Sequence, residues 1–380
     1  MTESPPAESA APLRDLFLLD PDVVFLNHGS FGACPRPVFE EYQRLQLELE
    51  REPVEFLGLK RSFPARIAQA HARLAEYVGA RADDLVLVPN ATTAVNMVAR
   101  SLPLERGDEI VATTHEYGGN DLLWRWVCER RGARYVEVDT VPSRAVGELL
   151  GAVTPRTRAL FVSHISSPTA LRFPVEELCA RAREAGVLTI VDGAHAPGQI
   201  AVDVESIGAD FYTGNCHKWL CAPKGAAFLH ARPDTQPLLE PLALSWDWSE
   251  VSWATRHRWA GTRDPSAHLA VPAAIEFQAE HDWESVRRRC HELAVRATRE
   301  IGELLGTEPL AASDDEYVQM VSFRLPRCDG DAVGRRLYDE HRIEVLAQNW
   351  RGRPTLRVSF QGYNDESDLD ALIAALPRVV

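Results

Sequence analysis

The chain has 380 residues, 45% apolar and 25% charged, with a net charge of −14. That length exceeds one ordinary hydrophobic core and predicts a large and a small domain in a soluble globular protein. The negative balance argues against a general affinity for nucleic acid or acidic membranes, whose phosphates would repel it, while small anions can still be bound locally.

In chain order, residues 1–24 read as an N-terminal tail: MTESPPAESAAP lacks the basic and apolar regions of a signal peptide. No run of about 18 apolar residues exists, so no membrane span is expected. From residue 84 to 230, the β-rich runs DLVLVP, DEIVATT, RYVEVD, RALFVSH, VLTIVD, ADFYTG and AAFLHA alternate with helical patterns over 91–102, 119–130 and 175–185. This predicts an α/β fold with a mostly parallel sheet covered by helices on both faces. Ligands gather beyond the carboxyl ends of such strands. Residues 237–264, rich in Trp and Pro, read as a long loop at a functional edge. Helices over 266–279 and 283–305, then YVQMVSFRL, a helix over 331–341, IEVLAQ, TLRVSF and a helix from 366, read as a smaller α+β domain. The expected division is 25–265 and 266–380, with residues 13–35 packing near the site. Seven scattered cysteines fit reduced thiols of a cytoplasmic protein; no metal site is expected.

The chemistry-bearing residues collect at predicted strand ends. Asp192 closes VLTIVD, and Lys218 follows ADFYTG in the stretch DFYTGNCHKW. Pyridoxal phosphate requires such a pair: the lysine forms a Schiff base and the acid keeps the pyridine nitrogen protonated. Taken singly, either residue favours a structural salt bridge. In PNATTAVN, Asn90, Thr92 and Thr93 sit at a strand-to-helix junction, where backbone N–H groups bind anions; taken alone, a plain helix cap explains them better. Tyr117, before two glycines in THEYGGND, could lie against a planar cofactor and has a hydroxyl for proton transfer. The succession of phosphate turn, aromatic turn, acid and lysine favours one joint site.

FLNHGSFGACP, NATTAVN, HEYGGN, SHISSPTA, VDGAHAPGQ, YTGNCHKW, WAGTRD and LRVSFQGYND together resemble the fold-type I, pyridoxal-phosphate-dependent enzymes of the class V aminotransferase group, in the branch similar to isopenicillin N epimerase. The resemblance covers nearly the whole chain. It implies that Lys218 is the Schiff-base lysine, Asp192 the pyridine partner and His195 a contact of the cofactor's phenolic oxygen. Thr92, Thr93, Asn215 and His217 would surround the phosphate, and Thr262 would reach it from the other subunit of a homodimer with shared sites. Tyr117 matches the stacking position, Ser167 the place where desulfurases carry asparagine, and Arg357 the arginine that pairs with a substrate α-carboxylate. Asn27, His28 and Gly29 fall in the segment that covers the active site.

The implied reaction is abstraction of a Cα proton from an amino-acid or peptide substrate held as an external aldimine, with epimerisation first, β-elimination by a C–S lyase second and transamination third. Cysteine desulfurase is disfavoured because AQNWRGRPTLRVSF carries no thiol where those relatives place one. A non-enzymatic scaffold would have no reason to keep Lys218, Asp192 and Arg357. No GxGxxG motif follows an early strand, which disfavours an NAD-dependent oxidoreductase.

Overall fold

The computed structural model describes residues 13–249 and 252–380. In chain order its strands are β1 (Val24–Phe25), β2 (Leu85–Val88), β3 (Glu109–Thr113), β4 (Arg134–Val138), β5 (Thr157–Ser163), β6 (Leu188–Asp192), β7 (Phe211–Asn215), β8 (Ala227–Ala231), β9 (Met320–Arg324), β10 (Ile343–Glu344), β11 (Leu346–Trp350) and β12 (Arg353–Ser359). The main sheet has the order β2-β8-β7-β6-β5-β3-β4. Strands β4, β3, β5, β6 and β7 pair in parallel. The AAFLHA strand, β8, runs antiparallel to both neighbours, so the sheet is mostly parallel, as expected, rather than wholly so. The cause is the connection: β7 returns to β8 through a loop, whereas parallel pairing requires a crossover. That loop carries Lys218.

Side chains alternate across this sheet, as the period of a strand demands. Val111, Leu160, Val191, Tyr212 and Phe228 enter one core, while Ile110, Phe161, Ile190, Phe211 and Leu229 enter the other. Both faces are covered, which explains why these strands read as continuous apolar runs. The helices Ala91–Ser101, Gly118–Arg131 and Val175–Glu184 match their expected segments closely. Three more, Arg36–Arg51, Phe63–Tyr77 and Pro142–Gly151, were not anticipated. The helix expected over 266–279 is broken into Ser266–Leu269 and Val271–Glu280. Pro272 explains the break, since it has no N–H to continue the first helix and fits the first turn of the second.

Beyond these lie the 23-residue helix Trp283–Leu305, the antiparallel sheet β11-β12-β9, and the helices Gly330–His341 and Glu366–Val379. Strand β1 pairs with β10, and Asn27 bridges to Ser359. The first residues of the expected 25–265 domain are therefore hydrogen-bonded to C-terminal strands. Among the described residues, no helix is long and apolar enough to cross a membrane.

One close approach holds the Lys218 loop against the turn after β6. Gly198 has φ +92°, and a Cβ there would lie 2.2 Å from the Trp219 carbonyl. Gly198→Ala is therefore expected to lower stability sharply. Gly147, an exposed helical glycine with open space around it, provides the control. Gly147→Ala should stabilise by about 0.5–1 kcal/mol. Denaturant unfolding of both variants measures the contrast.

Candidate active site

The parallel strands β3, β5, β6 and β7 end on one edge of the sheet, and a cavity of about 820 Å³ opens there. Lys218, Asp192, His195, Asn215, Tyr117 and Arg357 all border it. The Lys218 Nζ lies 2.9 Å from His195 Nε2, and Trp219 Nε1 donates to His195 Nδ1 at 3.1 Å. An indole N–H only donates, so His195 Nδ1 is an acceptor and the proton of the neutral ring sits on Nε2. That N–H points at Lys218, whose nitrogen can accept only as an uncharged amine. Electrostatics agree: burial, followed by the nearby Arg357 charge, pushes Lys218 down to about 7, while Asp192 opposes the shift. Burial also holds the His195 imidazole well below its ordinary range.

Behind the lysine, His28 Nε2 donates to the Lys218 carbonyl at 3.0 Å, and His28 Nδ1 accepts from the Tyr363 hydroxyl at 3.0 Å. His28, expected near substrate, therefore braces the lysine's backbone from within the core. Gly32, at φ +69°, lets the same segment approach, since a Cβ would meet the His217 carbonyl at 2.0 Å.

Asp192 accepts from Ala194 N–H at 2.9 Å and from Asn120 Nδ2 at 2.8 Å. Burial raises its proton affinity, and those two donors with Lys218 oppose this. Asn120 was missed from the sequence; its signal was a polar residue in the first turn of the helix after Tyr117. Tyr117 is 47% exposed and borders the cavity.

Arg357 is buried, yet among the described residues it meets neutral acceptors only: Ser167 O at 2.6 Å, Ser167 Oγ at 3.4 Å, Ser30 Oγ at 3.1 Å and Asn27 Oδ1 at 3.4 Å. Its Nε has no partner among the described residues, and burial lowers its proton affinity to about 10. Gly29 leaves the room it occupies, because a Cβ there would lie 3.2 Å from Arg357 Nη2. Ser30 was not singled out beforehand.

At the other end, Asn90 caps the helix Ala91–Ser101 by accepting from Thr93 N–H, while Asn215 Oδ1 accepts from Ala91 N–H at 2.9 Å. Thr92 borders the cavity, whereas the Thr93 hydroxyl turns back to Asn90 at 3.0 Å. His217 also borders the cavity, with its buried Nδ1 unpartnered. Thr262 is elsewhere, in a separate surface hollow with Val54, Leu57, Trp246 and Trp259. None of Trp246, Trp248, Trp253 and Trp259 borders the Lys218 cavity.

An uncharged lysine amine, a strand-end carboxylate, a helix N-terminus, a buried unpartnered imidazole nitrogen and an unpaired buried guanidinium fit pyridoxal phosphate with an amino-acid substrate. Fold and site together define a fold-type I, pyridoxal-phosphate-dependent enzyme. The model of the aminotransferase class-V family matches residues 34–372, and the chain belongs to that family. It is 38% identical to the isopenicillin N epimerase of Streptomyces clavuligerus, covering 96% of each chain. It is 31% identical to a putative L-cysteine desulfhydrase of Oryza sativa subsp. japonica, covering 94% of this chain and 83% of the relative. The solved cysteine desulfurase CsdA of Escherichia coli superposes with a TM-score of 0.82 at 25% identity, covering 96% of this chain and 97% of that one.

Asn120→Ala removes a hydrogen bond to a buried carboxylate, worth about 1.5–3 kcal/mol. The dissociation constant for pyridoxal phosphate, read from absorbance titration, is expected to rise roughly 10- to 100-fold. An unchanged constant would contradict the role assigned to Asn120.

Proposed function

We propose that the protein is an isopenicillin N epimerase-like enzyme that inverts a Cα stereocentre in an amino-acid or peptide substrate. The observation that carries this reading is the buried Arg357, cationic and lacking a carboxylate partner among the described residues, in one cavity with an uncharged Lys218 amine. The guanidinium would take the substrate's α-carboxylate in bidentate fashion and so direct Cα into the cavity. Pyridoxal phosphate, when bound, supplies an aldehyde and an electron-accepting ring that acidifies the Cα proton. Lys218 Nζ removes that proton, and the Tyr117 hydroxyl returns one to the other face. The Asp192 carboxylate, held by Ala194 and Asn120, holds the pyridine nitrogen in its protonated form. Thr92, His217, the Asn215 amide and the N-terminus of the helix Ala91–Ser101 would hold the phosphate.

Identity of 38% to epimerases, against 31% to desulfhydrases, supports epimerisation. A C–S lyase is the second reading, favoured by those desulfhydrase relatives and by a Tyr117 hydroxyl able to protonate a leaving group. No cysteine borders the cavity, so a thiol that attacks substrate sulfur, as a desulfurase needs, has no candidate there. We also propose a homodimer in which Thr262 serves the partner's site. Val54 and Trp246, 74% and 79% exposed, flank Thr262 and form an apolar surface that a second copy would cover.

Incubation of the holoenzyme with candidate amino acids in heavy water tests the chemistry. Deuterium at Cα with inverted configuration supports the epimerase, and pyruvate with ammonia supports the lyase. Persulfide release would contradict both. Tyr117→Phe should lower inversion by about 10²–10⁴-fold. Deuterium exchange with retention, which needs only Lys218, should persist. A fully active monomer in sedimentation would overturn the shared site.

A further inference from the structure

Beside Tyr117 the cavity wall holds a second carboxyl group to which the proposed reaction gives no task. Glu116 is 2% exposed yet borders the cavity. Its Oε1 lies 2.6 Å from Thr113 Oγ1, and its Oε2 lies 2.6 Å from Ser163 Oγ, which also borders the cavity. Thr113, Ser163 and Asp192 are the last residues of β3, β5 and β6, and Ser163 is the register partner of Asp192. Two carboxyl groups therefore share one buried strand edge.

Their partners differ. Asp192 accepts from the Ala194 backbone N–H and from the Nδ2 hydrogens of Asn120, groups that can only donate. Glu116 has two hydroxyls, which accept as readily as they donate, and no ion pair among the described residues. Like charges in so dry a place cannot both ionise freely, so the proton belongs on Glu116. Burial first, and Asp192 after it, push Glu116 up to about 8 against the pull of Ser163 and Thr113. The other titratable groups nearby do not supply a compensating cation. Tyr135 on β4 donates to Asp121 on the preceding helix, Gly118–Arg131, whose own carboxyl is raised by burial. His115, the chain neighbour, is held neutral by burial, down to about 4. Lys218 lies on the Asp192 side.

We propose that Glu116 is a positioning residue: as a neutral acid it donates to Ser163, turns that hydroxyl's own proton toward the cavity, and leaves Asp192 the one ionised carboxylate of the strand edge the two share. The inference rests on the proposed cofactor site. Its primary test nevertheless uses the apoprotein, so the two can fail separately.

Infrared spectroscopy of the apoprotein should show a carboxylic-acid carbonyl band that titrates near pH 8. The band should be absent in Glu116→Gln and should titrate at lower pH in Asp192→Asn, where the repelling charge is gone. Stability supplies a second readout. A carboxyl with a raised folded-state pKa contributes stability that is lost as pH rises toward that value. Thermal stability of the wild type should therefore fall relative to Glu116→Gln between the ordinary glutamate pKa near 4.5 and about 8. In the holoenzyme, an alkaline change in cofactor absorbance with the same midpoint should vanish in Glu116→Gln. The proposal is overturned by no such band in the wild type, by its persistence in Glu116→Gln, or by a stability difference that is flat with pH. If Glu116→Gln fails to fold, the wild-type and Asp192→Asn titrations decide alone.

Discussion

The hydrogen bond between His195 Nε2 and Lys218 Nζ is the contact on which the site depends, and Trp219 determines its direction. With the indole occupying Nδ1, the imidazole must offer its proton to the amine. An ammonium would place donor against donor. The surrounding loop keeps this alignment through contacts made for the purpose of closeness: Gly198 under Trp219, Gly32 beside His217, and His28 on the lysine carbonyl. A buried lysine is costly as a cation and inexpensive as a free amine, which is the form a Schiff-base nucleophile requires.

Charge elsewhere in the cavity follows from that choice. With Lys218 and His195 uncharged, Arg357 is left as a buried cation held by neutral oxygens, an arrangement suited to an incoming carboxylate. It stands on β12, from the C-terminal sheet, and Ser30 and Asn27 from the N-terminal segment contact it. The main sheet contributes Asp192 and, through the antiparallel turn into β8, the lysine. Three separate stretches of chain thus meet at one strand edge, and β1 pairing with β10 keeps the first stretch beside the third.

Much of this was legible beforehand. The apolar runs that became β2, β3 and β5 to β8 are buried on both faces, so they announced themselves without any need for periodicity, while the edge strand β4 is only half-buried. Lys218 and Asp192 were found because an ionisable residue at the end of a buried strand demands a reason, whereas His195 and Arg357 came from the resemblance of their motifs to the family. The antiparallel direction of β8 was not legible, since strand composition is indifferent to direction and only the missing crossover decides it. Asn120, Glu116 and Ser30 were missed because their significance lies in partners 72, 47 and 327 residues away. The resemblance placed His28 in the segment that covers the active site, and a histidine looks the same in sequence whether its ring faces a cavity or a backbone carbonyl.

The chain contains three lysines, Lys60, Lys218 and Lys224. Nitrogen NMR of the apoprotein labelled at lysine Nζ, with Lys60→Arg and Lys224→Arg for assignment, can therefore follow Lys218 alone. A Lys218 amine that titrates near pH 7 is the predicted result, and titration in the ordinary lysine range near 10.5 would contradict the account.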